Sequence, residues 1–441
     1  MDAPSLVVIN SASWPRTEVV QVRLPQGTTV TEPDVLACEA AEGTLLLVKD
    51  VPACGYRALK LGRGAGPPAP QPQPAEGAAI ESPFYRLAFD PLTGALTSLF
   101  DKDLRRELVD ARAPYPLNQY LYVAGGEGSR IVADERGVEP KLRISTPEKA
   151  SLRRLRLGGL GERMIIESSA AMTPRLVSEV TVWNHLRRVD IANRFTKTPT
   201  RQKEAVYFSF PFAAANPTFR YECPDAIVNA NTGMLPGACL EWFAVQHFVE
   251  IQTGDAAIAW TSPDSPLVCF QDINRGKWLR HLPMDNGRLY AYVMNNYWYT
   301  NYKPDQGGEH LFRFSITSRA KADNTASARF GWAASNPLLA LPGQARPGAP
   351  LPLGSASLLE VLEPNVLLLG AKRAEAGDAL VLRLWEVSGQ PATAHVRLSH
   401  WPARNAVACN LVEEPQGPLE LTDNVISVPI RASGLATVMV R

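Results

Sequence analysis

The sequence predicts an all-β protein built from several sandwiches, and three observations lead there. Apolar and polar residues alternate with period two in segment after segment, the signature of half-buried strands. The 441 residues include 31 Gly and 37 Pro, set among abundant Val, Leu, Thr and aromatic residues, which is the composition of many short strands joined by turns. No apolar pattern keeps a period of 3.6 for more than about two turns, so no long helix is expected. The length corresponds to about three domains, enough to bury a sizeable core.

In chain order, residues 1–62 read as a small β-sandwich, with strands in SLVVIN, TEVVQVRLP, TLLLVKDVP and YRALKLG. Residues 63–79 are Pro/Gly/Ala-rich and aperiodic, the mark of an exposed, partly extended linker. Residues 80–338 form one large β-body. There Tyr85, Leu87 and Phe89 share a face before a turn at Pro91–Gly94, and Leu96, Ser98 and Phe100 follow it, a hairpin pattern. The stretch 178–197 repeats it around a turn near Asn184. Residues 339–441 open on a second Pro/Gly cluster, and their strands at LLEVLEPNVLLLGAK, DALVLRLWEVS, ATAHVRLS, VISVPIR and LATVMVR make a terminal β-sandwich.

Charge and motifs remove several function classes. With Lys+Arg 45 against Asp+Glu 44, the formal net charge of +1 argues against nucleic acid or an anionic membrane as the main partner. No apolar run approaches the roughly 20 residues of a bilayer span. The N-terminal MDAPSLVVINSASWPR lacks the basic and apolar regions of a secretory signal, so a cytoplasmic location is expected. Cys38, Cys54, Cys223, Cys239, Cys269 and Cys409 form no CxxC pair and read as reduced thiols. Among six His, only His395 and His400 lie close together, and their odd separation puts them on opposite faces of a strand. There is no HExxH, so no metal ligands and no cofactor are assigned to the chain. GxxxxGK[ST] and GxSxG are absent, and LGGLGE at 157–162 reads as a hairpin loop. Asp264, Asp272, Asp285 and Asp305 could form a carboxylate pair for glycoside hydrolysis, but as turn residues they cap their own backbone, and no catalytic residue is assigned.

One stretch stands out, MNNYWYTNYKPDQGGEH at 294–310. Aromatic faces stack on the C–H face of a sugar, amides serve hydroxyls as both donor and acceptor, and glycines let backbone approach a ligand. Asn295, Asn296, Trp298, Asn301, Tyr302, Gln306, Gly307 and Gly308 are therefore carbohydrate-binding candidates. The same composition also suits a buried polar loop that plugs the end of a sandwich.

Several segments resemble glycoside hydrolase family 38, the retaining α-mannosidases. They are Gly94 through Lys102 within YRLAFDPLTGALTSLFDKDLRRELVD, AVYFSFPF (205–212), IAWTSPDSPLV (258–268), the 294–310 stretch with its Gln-Gly-Gly, VVINSASWPRTEVVQV (7–22), and NVLLLGAKRAEAGDALVLRLWE with Lys372 and Gly377–Asp378. The resemblance runs in order along nearly the whole chain. It implies a galactose-mutarotase-like supersandwich in the middle, flanked by small N- and C-terminal sandwiches.

It also implies that the family's catalytic barrel, with its Asp nucleophile and its zinc site containing a His-x-Asp pair, has no counterpart in these residues. The expected role is that of a C-terminal β-half. It would pack on its own N-terminal catalytic domain and lend loop 295–308 to a pocket for mannose-containing carbohydrate, with zinc held in the missing catalytic domain. Without that partner, an apolar face would favour homo-oligomers. Two alternatives stay open. One is a mutarotase or epimerase on the same fold, with His247 and Glu204 or Glu250 as its acid and base. The other is a stand-alone carbohydrate-binding module, with Trp242, Trp278 and Trp298 as its platform.

Overall fold

The computed structural model describes residues 4–63, 69–125, 141–273, 279–297, 305–344, 348, 350–400 and 402–441. Every strand pair among them is antiparallel, as short sequential strands joined by turns require. The fold is all-β: a large sandwich flanked by two small ones.

The first small sandwich packs Arg16–Val22, Gly43–Val51 and Leu36–Ala40 against a sheet ordered Leu339–Gln344, Pro4–Asn10, Gly55–Arg63, Ser355–Ser357. Leu6, Val8, Val20, Leu46, Val48 and Leu59 fill its core. Two of its strands come from beyond the expected boundary at residue 338. Leu339–Gln344 pairs with Pro4–Asn10, and Ser355–Ser357 with Gly55–Arg63. The Pro-rich segment also takes part in a sheet, since Gln73–Ala75 forms the edge next to Ala150–Arg156.

The large sandwich sets a ten-stranded sheet against a six-stranded one. The six-stranded sheet is ordered Leu142–Ser145, Gln119–Gly125, Glu204–Ala215, Asn286–Asn295, Leu267–Phe270, Phe243–Ala244. Its central strand Glu204–Ala215 is buried on both faces. Val206, Phe208, Phe210 and Phe212 enter the main core, while Ala205 and Tyr207 join a second cluster with Leu121, Val123 and Tyr290. This explains its near-continuous apolar sequence.

The hairpin expected at 85–101 is present as Tyr85–Phe89 and Leu96–Asp101. Asp90 Oδ1 accepts from the Leu92 and Thr93 amides, and these backbone bonds hold its carboxyl below the usual range. Gly94 has φ +71, and a Cβ there would lie 2.4 Å from Ile166 Cγ2. Asp101, from the same motif, is fully buried and accepts from Arg187 Nη2 at 2.6 Å and Ser318 Oγ at 2.5 Å, tying the hairpin to the ten-stranded sheet.

One helix, Asn324–Ser335, departs from the sequence expectation. Asp323 caps its start by accepting from the Ala326 amide. Arg16 reaches from the first sandwich to donate to Ala333 O at 2.9 Å and Asn336 O at 2.5 Å, satisfying carbonyls at the helix end. The terminal sandwich packs Leu359–Val361, Ala392–Leu398, Val425–Ile430 and Glu420–Thr422 on a five-stranded sheet that includes Val366–Arg373 and Leu380–Glu386. Among the described residues, no helix is long and apolar enough to cross a membrane.

Candidate functional site at one end of the large sandwich

The chain crosses between the two large sheets twice at the same end. Residues 198–203 lead from Val189–Lys197 in the ten-stranded sheet to Glu204–Ala215 in the six-stranded one. The 296–307 connection leads back from Asn286–Asn295 to Gly308–Arg319. Pairings Ala205↔Asn295 and Lys197↔Gly308 bring the two crossings side by side.

Hydrogen bonds lock them together. Asn296 is buried, its backbone N–H donates to Glu204 O at 2.8 Å, and its amide donates to Thr200 O at 2.8 Å and Gln202 O at 2.9 Å. Gln306 Oε1 accepts from the Asn295 amide at 3.0 Å, and Asn295 Oδ1 accepts from the Tyr297 amide at 3.0 Å. Gly307 lies flat on Pro199, where a Cβ would come within 2.6 Å of Pro199 Cβ. Gly308 has φ +117 and open space around it.

Beneath the crossings, Lys197 and Glu204 form a buried ion pair between the two sheets, Nζ to Oε1 2.8 Å and Nζ to Oε2 2.9 Å, and Lys197 also donates to Thr198 O at 2.9 Å. The Lys197 ammonium sits 5.6 Å from the centroid of the Tyr122 ring. Burial first, and the Glu204 carboxylate next, push the Tyr122 phenol well above its ordinary value, so it stays a neutral donor. An open cleft of about 650 Å³ is lined by Tyr122, Arg143, Ser145, Arg201, Gln202 and Lys203.

Of the eight carbohydrate-binding candidates, Asn295, Asn296, Gln306, Gly307 and Gly308 come together here. Trp298, Asn301 and Tyr302, like Trp278, lie outside the described residues. Sequence reasoning missed Tyr122, Arg143, Arg201 and Lys203. The one local signal was the Arg-Gln-Lys run between two strands.

The other candidates fall elsewhere. Trp242 packs, half-buried, on the second core cluster of the six-stranded sheet. Asp264 is held by Arg313 at 2.7 Å, Asp285 accepts from Asn286, and Asp272 caps Ile273. His247 pairs with neither Glu204 nor Glu250. Its Nδ1 lies 2.7 Å from Glu222, whose same oxygen accepts from Trp332 Nε1 at 3.0 Å. Glu204 is held by Lys197, and Glu250 by Arg220, Arg319 and Ser327 near the helix start. Among the described residues, there is no group of three or more His, Cys, Asp or Glu that could hold a metal ion.

Comparison with known proteins bears on the whole chain. Residues 365–437 match the family model for the glycosyl hydrolases family 38 C-terminal beta sandwich domain. All of this chain is covered by a structure described as a protein in the glycosyl hydrolase family 38 from Enterococcus faecalis, with TM-score 0.71 and 14% identity. An alpha-mannosidase from Enterococcus faecalis V583 matches over 100% of this chain at TM-score 0.69 and 14% identity. The chain spans 58% and 56% of those two proteins. At this identity the likeness concerns the fold, which agrees with the order of sandwiches described above. No curated protein matches the chain.

Proposed function

We propose that this chain is the β-half of an α-mannosidase-like glycoside hydrolase. It braces a catalytic part made of other residues and presents the 198–204 and 295–308 crossings to the saccharide. The observation that carries this reading is the coincidence of the entire chain with the E. faecalis fold, joined to the family 38 match in the terminal sandwich. Retaining, two-step hydrolysis is proposed for the assembled enzyme, and no chemical step is assigned to these residues.

The site chemistry agrees with a supporting role. Asn296 spends both amide donors on the neighbouring crossing, and Gln306 spends its carbonyl on Asn295. These residues therefore hold the shape of the rim. The test is hydrolysis of a chromogenic α-mannoside by the purified chain, with and without added zinc. No turnover is expected in either condition. Turnover that is lost on Asn296→Ala or Gln306→Ala would place an active site in this chain and overturn the reading.

A further inference from the structure

We propose that the cleft over Tyr122 takes a saccharide bearing an anionic group, a phosphate or a carboxylate. The inference rests on the reading that this end of the sandwich faces the sugar. Its first ground is charge. The protein as a whole carries a net charge of only +1, yet the cleft is walled by Arg143, Arg201 and Lys203, and no acidic side chain lines it among the described residues.

The contrast with a second cleft, between the first sandwich and the ten-stranded sheet, is direct. There Arg16, Arg163, Arg188 and Arg313 are paired with Glu18, Glu179, Asp190 and Asp264. Arg143 and Arg201 form no ion pair among the described residues, and both are exposed. Guanidinium groups stay charged at any physiological pH and match carboxylate and phosphate oxygens two at a time.

The second ground is rigidity. Thr200 O and Gln202 O, the carbonyls on either side of Arg201, are both held by the Asn296 amide, so the backbone carrying Arg201 is fixed before a ligand arrives. Arg143 stands on Leu142–Ser145, in register with Ala124, and Ser145 is in register with Tyr122. The cleft thus combines hydroxyl and amide groups at Ser145 and Gln202 for sugar hydroxyls with two exposed cations for an acidic substituent, beside the largely buried Tyr122. Its volume of about 650 Å³ suits a sugar of one or two rings.

The test is isothermal titration calorimetry on the full chain with mannose 6-phosphate, D-mannuronate, methyl α-mannoside and inorganic phosphate. At least one of the two anionic sugars is expected to bind about tenfold or more tighter than methyl α-mannoside and inorganic phosphate, the size of one charge-assisted hydrogen bond. Raising the ionic strength from about 0.05 to about 0.5 M should erode that preference. The double substitution Arg143→Gln/Arg201→Gln should abolish it with no change in melting temperature, since both side chains are exposed.

Equal binding of neutral and anionic sugars overturns the inference and leaves the proposed function standing. Inorganic phosphate binding as well as the sugar acids overturns it too, because it reveals an anion site with no sugar recognition. Absence of binding by every probe also overturns it. The proposed function itself is tested separately by the hydrolysis assay.

Discussion

Replacing Lys197 with methionine removes the ammonium from the ion pair that joins the two large sheets and leaves the Glu204 carboxylate in place. Both side chains are almost wholly buried, at 1% and 5% exposure, so water cannot take over from the lost partner. Removing one member of such a pair costs about 3–5 kcal/mol, because the remaining charge is uncompensated in a low-dielectric setting. For a body of this size that corresponds to a fall in melting temperature on the order of 10 °C.

Calorimetry of the full chain should show the drop in the transition of the large sandwich. The double substitution Lys197→Met/Glu204→Gln should recover more than half of it. Glutamine removes the stranded charge and keeps an acceptor for the Tyr122 hydroxyl. A single variant within about 1 kcal/mol of the parent, or a double variant as unstable as the single, would refute the argument that an uncompensated charge is the cause.

Three further outcomes follow from the same geometry. Asn296→Leu leaves Thr200 O and Gln202 O without donors, which should cost about 2–3 kcal/mol and speed tryptic cleavage after Arg201 or Lys203; an unchanged cleavage rate would contradict the bracing role. Gly307→Ala drives a methyl into Pro199 and should cost about 1–3 kcal/mol, whereas Gly308→Ala, with open space but φ +117, should cost about 1 kcal/mol from backbone strain alone; equal losses in chemical denaturation would count against this.

In the terminal sandwich, Glu386 is fully buried. Burial alone would raise its pKa, but the Ser388 hydroxyl, the Ser433 and Ser388 amides and Asn365 donate to it and hold it below its ordinary value of 4.5. The folded value lies below the unfolded one, so this stabilisation is complete above about pH 4.5 and drains away as pH falls through the folded value. Glu386→Gln should lower stability by about 2 kcal/mol at pH 7 and flatten the acid limb of the unfolding curve; an unchanged acid limb would contradict the assignment.

What could be read from the sequence and what could not divides along the range of the interactions. The 85–101 hairpin was legible because its turn is made by Asp90 and Gly94, residues local to it. The helix Asn324–Ser335 was not, because its buried face is Ser327, Ala328 and Gly331, small residues that leave no apolar period. Gly331 packs where a Cβ would lie 2.6 Å from His247 O, a constraint visible only in three dimensions. The amides of 295–306 were legible as an unusual polar stretch, but their partners on the 198–204 crossing were not. The cationic cleft was out of reach, since Tyr122, Arg143 and Arg201 meet only through strand pairing and a loop held from another crossing. Residues 339–344 looked like the start of a new unit because Pro and Gly mark boundaries, yet here they punctuate an edge strand.

That edge strand governs when the first sandwich can finish folding during synthesis. Pro4–Asn10 is flanked in its sheet by Leu339–Gln344 and Gly55–Arg63, and the opposite edge of the sheet is Ser355–Ser357. Once residues 1–60 have left the ribosome, their sheet still has two positions vacant. At ordinary elongation rates the missing strands emerge on the order of tens of seconds later, after the whole large sandwich has been made. Through that interval, the row of unpaired amides and carbonyls beside Pro4–Asn10 is open to any extended chain. This sandwich can close only after the large one has been made, and a ribosome that stalls before residue 339 releases an unfinished edge primed for misassociation.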